Sequence, residues 1–252
     1  MYRAFNLRNI AFDFNYSELI DKFNQNHSGE PLMIRNNIRD FILAGGELDG
    51  AALQNAFFPS NFSFNIFISH SHGDIDFAKA FAQFLENEFG LTCFIDSAVW
   101  GGLGLLQKTL DRYFKQNNPS YTLADHDRVA SHVNLMLNIA LMQMMDHCEA
   151  LFFLNTPQSI TVDDLIGDST YSPWIFSEIG MFHLLRKREP QRLFLESMNF
   201  SEGIKQKVDL SDFTDLDCDD IRLWSKNYKK AKSSFQDNWK TALDVLYEMK
   251  PL

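Results

Sequence analysis

The sequence predicts an α/β fold with a mainly parallel sheet covered by helices on both faces. Three observations carry this. Short apolar runs alternate with helical stripes from residue 64 to residue 250, the pattern of strand–crossover–strand units. The runs Phe64–Ile68 and Ala150–Leu154 are almost wholly aromatic, aliphatic or β-branched, which suits strands buried on both sides. The first run stops in a polar tip, Ser69-His70-Ser71-His72-Gly73-Asp74. Phe77, Phe81, Phe84, Leu85 and Phe89 follow at i, i+4, i+7, i+8 and i+12. Strand, polar turn and amphipathic helix open an α/β unit.

Residues 1–61 read as a small helical N-terminal extension. Asn, Phe and Ile dominate it, and no strong strand is visible. Tyr16–Phe23, Ile34–Leu43 and Leu48–Phe57 are its candidate helices, with a break at Gly45-Gly46 and Pro59-Ser60 as the closing punctuation. Residues 62–252 read as the main domain. After its first strand and helix comes a second short strand, Leu91–Asp96. The segment Ser97–Gly104 has glycines at 101, 102 and 104, which suits either a close backbone approach to a ligand or an ordinary turn. Leu105–Phe114 is helical, and residues 115–128 form a polar insertion.

Val133, Met136, Leu137, Ala140, Leu141 and Met144 then make a helical stripe in which Met fills core. A third strand, Ala150–Leu154, leads into a loop over Asn155–Tyr171. The next helix opens on Ser172 as N-cap and Pro173 at the first helical position. Ile175, Ile179 and Phe182 face its core side, while Trp174 and Glu178, four apart, share another face. Arg192–Leu195 reads as a strand. An acidic segment, Asp209–Asp220, precedes a last helix with Phe235, Trp239, Ala242, Leu243 and Leu246 on one stripe.

Composition narrows the function. The 252 residues carry a formal net charge of −10. No long Lys/Arg stripe exists to track a phosphate backbone, so nucleic acid is not an expected partner. The three cysteines, Cys93, Cys148 and Cys218, have neither disulfide-framework nor metal-site spacing. The most apolar helix, around Val133–Met145, is too short to span a bilayer, and the N-terminus lacks a signal-peptide apolar block. A soluble cytoplasmic protein with no membrane partner is expected.

The polar tip after the first strand is the place to look for chemistry, because ligands of open α/β sheets bind where strands end. It supports two readings. His70 and His72 lie two apart, so on an extended chain they point the same way and share a metal, as in a metal-dependent hydrolase. That signature needs a further histidine where this chain has Ile75, and no matching downstream ligand segment occurs, so no metal ligand is assigned. The second reading is a nucleotide site.

Several pieces, taken in order, resemble a TIR (Toll/interleukin-1 receptor) domain. Phe67-Ile68-Ser69 resembles its first strand and Phe94-Ile95-Asp96 its second. Ser97–Gly104 falls where the family has its BB loop. Leu151–Pro157 resembles its third strand and exit. Trp174-Ile175-Phe176-Ser177-Glu178-Ile179 resembles the Trp-x-x-x-Glu helix of the NAD-consuming members. The match covers roughly residues 62–250 and departs from the family in the long insertion after residue 114 and in the histidines at 70 and 72.

The resemblance implies a flavodoxin-like fold and cleavage of the nicotinamide–ribose bond of NAD+, as in stand-alone prokaryotic TIR proteins of Thoeris-type anti-phage defence. The product is then ADP-ribose, or a cyclised or conjugated ADP-ribose signal read by a separate effector protein. NAD+ is a substrate, and no cofactor is implied. Glu178 is the implied catalytic carboxylate. Ser69, His70, Trp100, Gly101, Gly102 and Trp174 are the implied contacts to the dinucleotide, and Asp96 holds the loop. Homo-oligomerisation through the BB loop region is implied too. Because many TIR domains only assemble, a non-catalytic interaction module is the alternative.

Overall fold

The computed structural model describes residues 1–10, 15–27, 41, 49–50, 52, 64–95, 103–163, 167–190, 209–234 and 236–251. Among them, five strands form one all-parallel sheet: β1 Arg3–Arg8, β2 Ile66–Ser69, β3 Cys93–Phe94, β4 Ala150–Asn155 and β7 Phe213–Leu216. Their order is β3-β2-β4-β1-β7. Two further strands, β5 Thr161–Asp163 and β6 Gly167–Ser169, pair as a small antiparallel hairpin. It lies within the stretch read from sequence as a loop.

Among the described residues, seven helices accompany the sheet: α1 Tyr16–Asn26, α2 Ile75–Phe89, α3 Leu103–Asn117, α4 Leu123–His147, α5 Pro173–Leu184, α6 Cys218–Ser233 and α7 Ala242–Met249. The architecture is flavodoxin-like. β2, β3 and β4 hold the second-first-third order of that fold. The next place is filled by the N-terminal strand β1.

Side chains divide the molecule into two cores, one on each face of the sheet. On the first face, Phe67, Leu151 and Phe153 pack against Leu110 of α3, Leu137 and Leu141 of α4, and Ile175, Ile179 and Phe182 of α5. On the second, Phe5, Ile66, Ile68 and Phe152 pack against Phe23 of α1, Phe81 and Leu85 of α2, Trp224 of α6 and Leu246 of α7. Period-2 alternation in the strands assigns each residue to its face. α2 buries the expected Phe81, Leu85 and Phe89. It ends at Gly90, whose φ of 66° suits a residue without Cβ and lets its N–H reach the Glu86 carbonyl.

Three segments differ from the sequence reading. The first is β1. The helix expected over Tyr16–Phe23 is present as α1, but residues 3–8 are a strand inserted between β4 and β7. Its polar residues disguise it, because each is satisfied individually. The Arg3 guanidinium, buried on the second face, donates to the Lys250 carbonyl at 2.6 Å and to Thr214 Oγ1 at 3.0 Å. It also lies over the rings of Phe5 and Tyr247. Burial lowers its pKa. The expected helices Ile34–Leu43 and Leu48–Phe57 and the strand Arg192–Leu195 fall on segments that lie wholly or largely outside the described residues.

The second is the insertion. Its residues 123–128 are the first turns of the 25-residue α4. Thr122 and Asp125 form a capping box there. Tyr121 Oη donates to the buried Asp111 at 2.6 Å, and His126 Nε2 sits 3.2 Å from the same carboxylate, tying α4 back to α3.

The third is the tail. The expected single stripe is broken: Trp239 is exposed, and α7 starts afresh at a capping box of its own, Thr241 with Asp244. Phe235 lies outside the described residues.

A test of the first correction follows. A chain starting at residue 62 lacks the strand that both β4 and β7 pair with. It should lose the cooperative urea transition of the full chain, since unpaired backbone groups inside a sheet are costly. A sharp transition with the same midpoint in residues 62–252 would show that β1 is dispensable.

Candidate functional site

The site is built at the C-terminal edge of the sheet, around β4. After β4 the chain turns to α5 on the first face. After β2 and β1, its two neighbours, the chain turns to α2 and α1 on the second face. The connections therefore diverge on both flanks of β4. Divergence of this kind opens crevices in which open α/β sheets bind ligands.

The crevice between β2 and β4 holds the polar tip. Ser69 ends β2 on the first face and is fully buried. His70 is buried too, with Nδ1 3.3 Å from the Ile68 carbonyl. Ser71 then caps a single 3-10 turn, His72–Asp74, by accepting from the Gly73 N–H at 3.2 Å. Asp74 accepts from Thr156 Oγ1 at 2.6 Å, which ties the exit of β2 to the exit of β4. The exposed Gln158 side chain from the exit of β4 lies over Gly73, with Oε1 1.7 Å from where a Cβ would sit.

α5 supplies the carboxylate. Ser172 accepts from the Ile175 N–H at 3.3 Å and Pro173 takes the first helical position, as its sequence predicts. Ile175, Ile179 and Phe182 are buried in the first-face core. Ser177 Oγ donates to Asn138 Oδ1 at 2.8 Å and fastens α5 to α4. Glu178 is only 2 % exposed, and the Ser69 hydroxyl donates to its Oε2. Trp174, one turn earlier, is half-buried against the same core.

The fold thus joins Ser69 and Glu178 on the first face, with Trp174 packed against the same core, and leaves His70 next in the chain at the sheet edge. The face that Trp174 and Glu178 share, expected apart from the core, is covered: Trp174 is half-buried against the first-face core and the Glu178 carboxylate meets Ser69 of the sheet. Trp100, Gly101, Gly102 and Asp96 lie outside the described residues.

Other chemistries find less support. His72 is exposed while His70 is buried. The 3-10 turn that starts at His72 ends the extended geometry the metal reading needs. Among the described residues, no three His, Cys, Asp or Glu side chains come together as a metal-binding group. Cys93 and Cys148 are buried, and burial pushes the Cys93 thiol well up and the Cys148 thiol to about 12. Such thiols stay protonated and are poor nucleophiles. No helix among the described residues is long and apolar enough to cross a membrane.

The second crevice, between β4 and β1, holds residues the sequence reading did not single out. Asn155 ends β4 opposite Arg8 of β1. Asn155 Nδ2 donates to Asn6 Oδ1 at 2.9 Å, and Asn6 Nδ2 donates to Asp215 Oδ1 of β7 at 2.7 Å. Arg8 Nε stands 3.5 Å from the same Asp215 oxygen. No sequence signal announces this row, because it depends on a register between strands far apart in the chain.

Comparison with family models, with curated proteins and with solved structures finds no match to this chain.

Proposed function

We propose that this chain cleaves the nicotinamide–ribose bond of NAD+, with Glu178 as the catalytic carboxylate. The observation that supports this is a glutamate buried to 2 %, bound to the hydroxyl that ends β2, at a divergent edge of a parallel sheet. Burying a carboxylate is costly unless it is hydrogen-bonded or put to use. The Trp-x-x-x-Glu spacing of the NAD-consuming TIR proteins, resembled at Trp174 and Glu178, supplies the use.

The chemistry needs little else. The C1′–N bond breaks with its electron pair passing to the pyridinium nitrogen, so nicotinamide leaves neutral and no general acid is required. Positive charge develops on the ribose. A preorganised carboxylate in a water-poor site stabilises that charge. Water then adds at C1′ and loses a proton to give ADP-ribose, or a nucleophile of the same or a second molecule adds to give a cyclic or conjugated product. A cytoplasmic role in anti-phage defence, with a separate effector sensing the product, belongs to the same proposal. So does homo-oligomerisation through the segment around Trp100–Gly102.

A second reading, the interaction module, is favoured by one observation. Leu135, Ile139 and Met142 stand exposed at i, i+4 and i+7 on α4, an apolar stripe of the kind that packs against a partner.

Nicotinamide release separates the two. The purified chain, incubated with NAD+ over a range of protein concentrations, should release nicotinamide, and release should persist after exhaustive chelation. No release at any concentration would favour the module. Release that stops with chelator and returns with zinc would revive a metal role for His70 and His72.

A further inference from the structure

We propose that the second crevice is the distal half of a dinucleotide site. Asp215 would accept the hydroxyls of the far ribose, and Arg8 would pair with phosphate. This extends the reading of Glu178 as the carboxylate at the nicotinamide ribose and rests on it.

The strand register supplies the geometry. Ser69 lies opposite Phe153, Phe153 opposite Asn6, and Asn6 opposite Asp215. These residues form one row across β2, β4, β1 and β7 on the face that carries α5. Ser69, which holds Glu178, is therefore three strand spacings from Asp215, about 14 Å at about 4.8 Å each. That is the scale of a dinucleotide drawn out between its two riboses. The row crosses both crevices flanking β4, so one extended ligand can occupy both.

The chemistry of the row fits that ligand. Asn6 is 1 % exposed in a strand paired on both sides, where an apolar residue would pack at no polar cost. Its amide spends one end on Asn155 and the other on Asp215. It therefore fixes an exposed carboxylate from beneath. Asp215 keeps 67 % of its side chain exposed and Arg8 keeps 46 %, so both reach a ligand at the sheet edge. A carboxylate near a strand end is the usual partner of ribose hydroxyls in dinucleotide folds. A guanidinium has donors enough to serve a carboxylate and a phosphate together. Asn6 is a positioning residue in this arrangement, and Asp215 and Arg8 are the contacts.

Nicotinamide mononucleotide carries the scissile bond but lacks the distal half, which makes it the discriminating probe. kcat/KM should be measured with NAD+ and with the mononucleotide for the parent chain and Asp215→Asn. The variant keeps the acceptor for Asn6 but loses the charge. The NAD+-to-mononucleotide ratio of kcat/KM should fall about tenfold, the worth of one hydrogen bond to a charged group. An unchanged ratio overturns the proposal and leaves the Glu178 reading standing. If the parent cleaves neither compound, the Glu178 reading fails, and calorimetric titration with ADP-ribose decides the subsite alone. Binding about tenfold weaker in Asp215→Asn supports it. Equal binding by both chains, or none by the parent, overturns it.

Discussion

Glu178→Gln should lower the rate of nicotinamide release by about a hundredfold to a thousandfold, the usual loss when one preorganised electrostatic group is removed. The loss should fall on kcat, because the charge is needed only as the ribose becomes cationic. The fold should survive. Glutamine keeps an oxygen to accept from Ser69, and exchanging a buried carboxylate for a neutral group of the same shape removes a desolvation cost. The melting temperature should therefore stay within a few degrees of the parent or rise. Glu189, which accepts from Tyr2 Oη at 3.2 Å on the surface, is the matched control, and Glu189→Gln should leave the rate alone. Glu178→Gln turning over NAD+ like the parent would remove Glu178 from the mechanism.

The second large effect concerns stability. Trp224 of α6 is fully buried, stacks on Phe89 of α2 at 3.9 Å between ring centroids, and donates from Nε1 to the Ala242 carbonyl at 2.7 Å. It thereby joins three helices of the second face. Trp224→Ala should cost about 3–5 kcal/mol in a urea titration, a large share of the 5–15 kcal/mol or so typical of a whole domain. Trp224→Phe keeps most of the apolar area but loses the bond to the Ala242 carbonyl, which keeps its place in the first turn of α7. Loss of that bond should cost about 0.5–1.5 kcal/mol, and the larger loss in Trp224→Ala reports the cavity. A midpoint unmoved in Trp224→Ala would mean that α6 does not hold the sheet.

Much of the fold is legible in the chain where one physical rule dominates. β2, β4 and α2 are long apolar or strictly periodic stretches, and α5 announces itself through Ser172 and Pro173. The rest is hidden where several small effects are combined. β1 carries Arg3 and Asn6 inside a central strand, and only tertiary partners such as Lys250 and Asp215 make that tolerable. β7 sits in an acidic stretch whose two apolar residues, Phe213 and Leu216, give too short a pattern to read.

The site divides in the same way. The tip of β2 and the helix of Glu178 each stand out in sequence, but their union does not. Ser69 and Glu178 are 109 residues apart, and only the packing of α5 on the first face brings them together. A helical wheel puts Glu178 at the margin of the core face, three residues after Ile175 and four before Phe182, but says nothing of the sheet beneath that receives its carboxylate.

The most direct measurement is a crystal structure of Glu178→Gln grown with NAD+. The slowed variant should hold the uncleaved dinucleotide with C1′ of the nicotinamide ribose in van der Waals contact with the side chain at 178, in the crevice between β2 and β4. A dinucleotide bound with that carbon remote from residue 178, or seated away from the C-terminal edge of the sheet, would contradict the account.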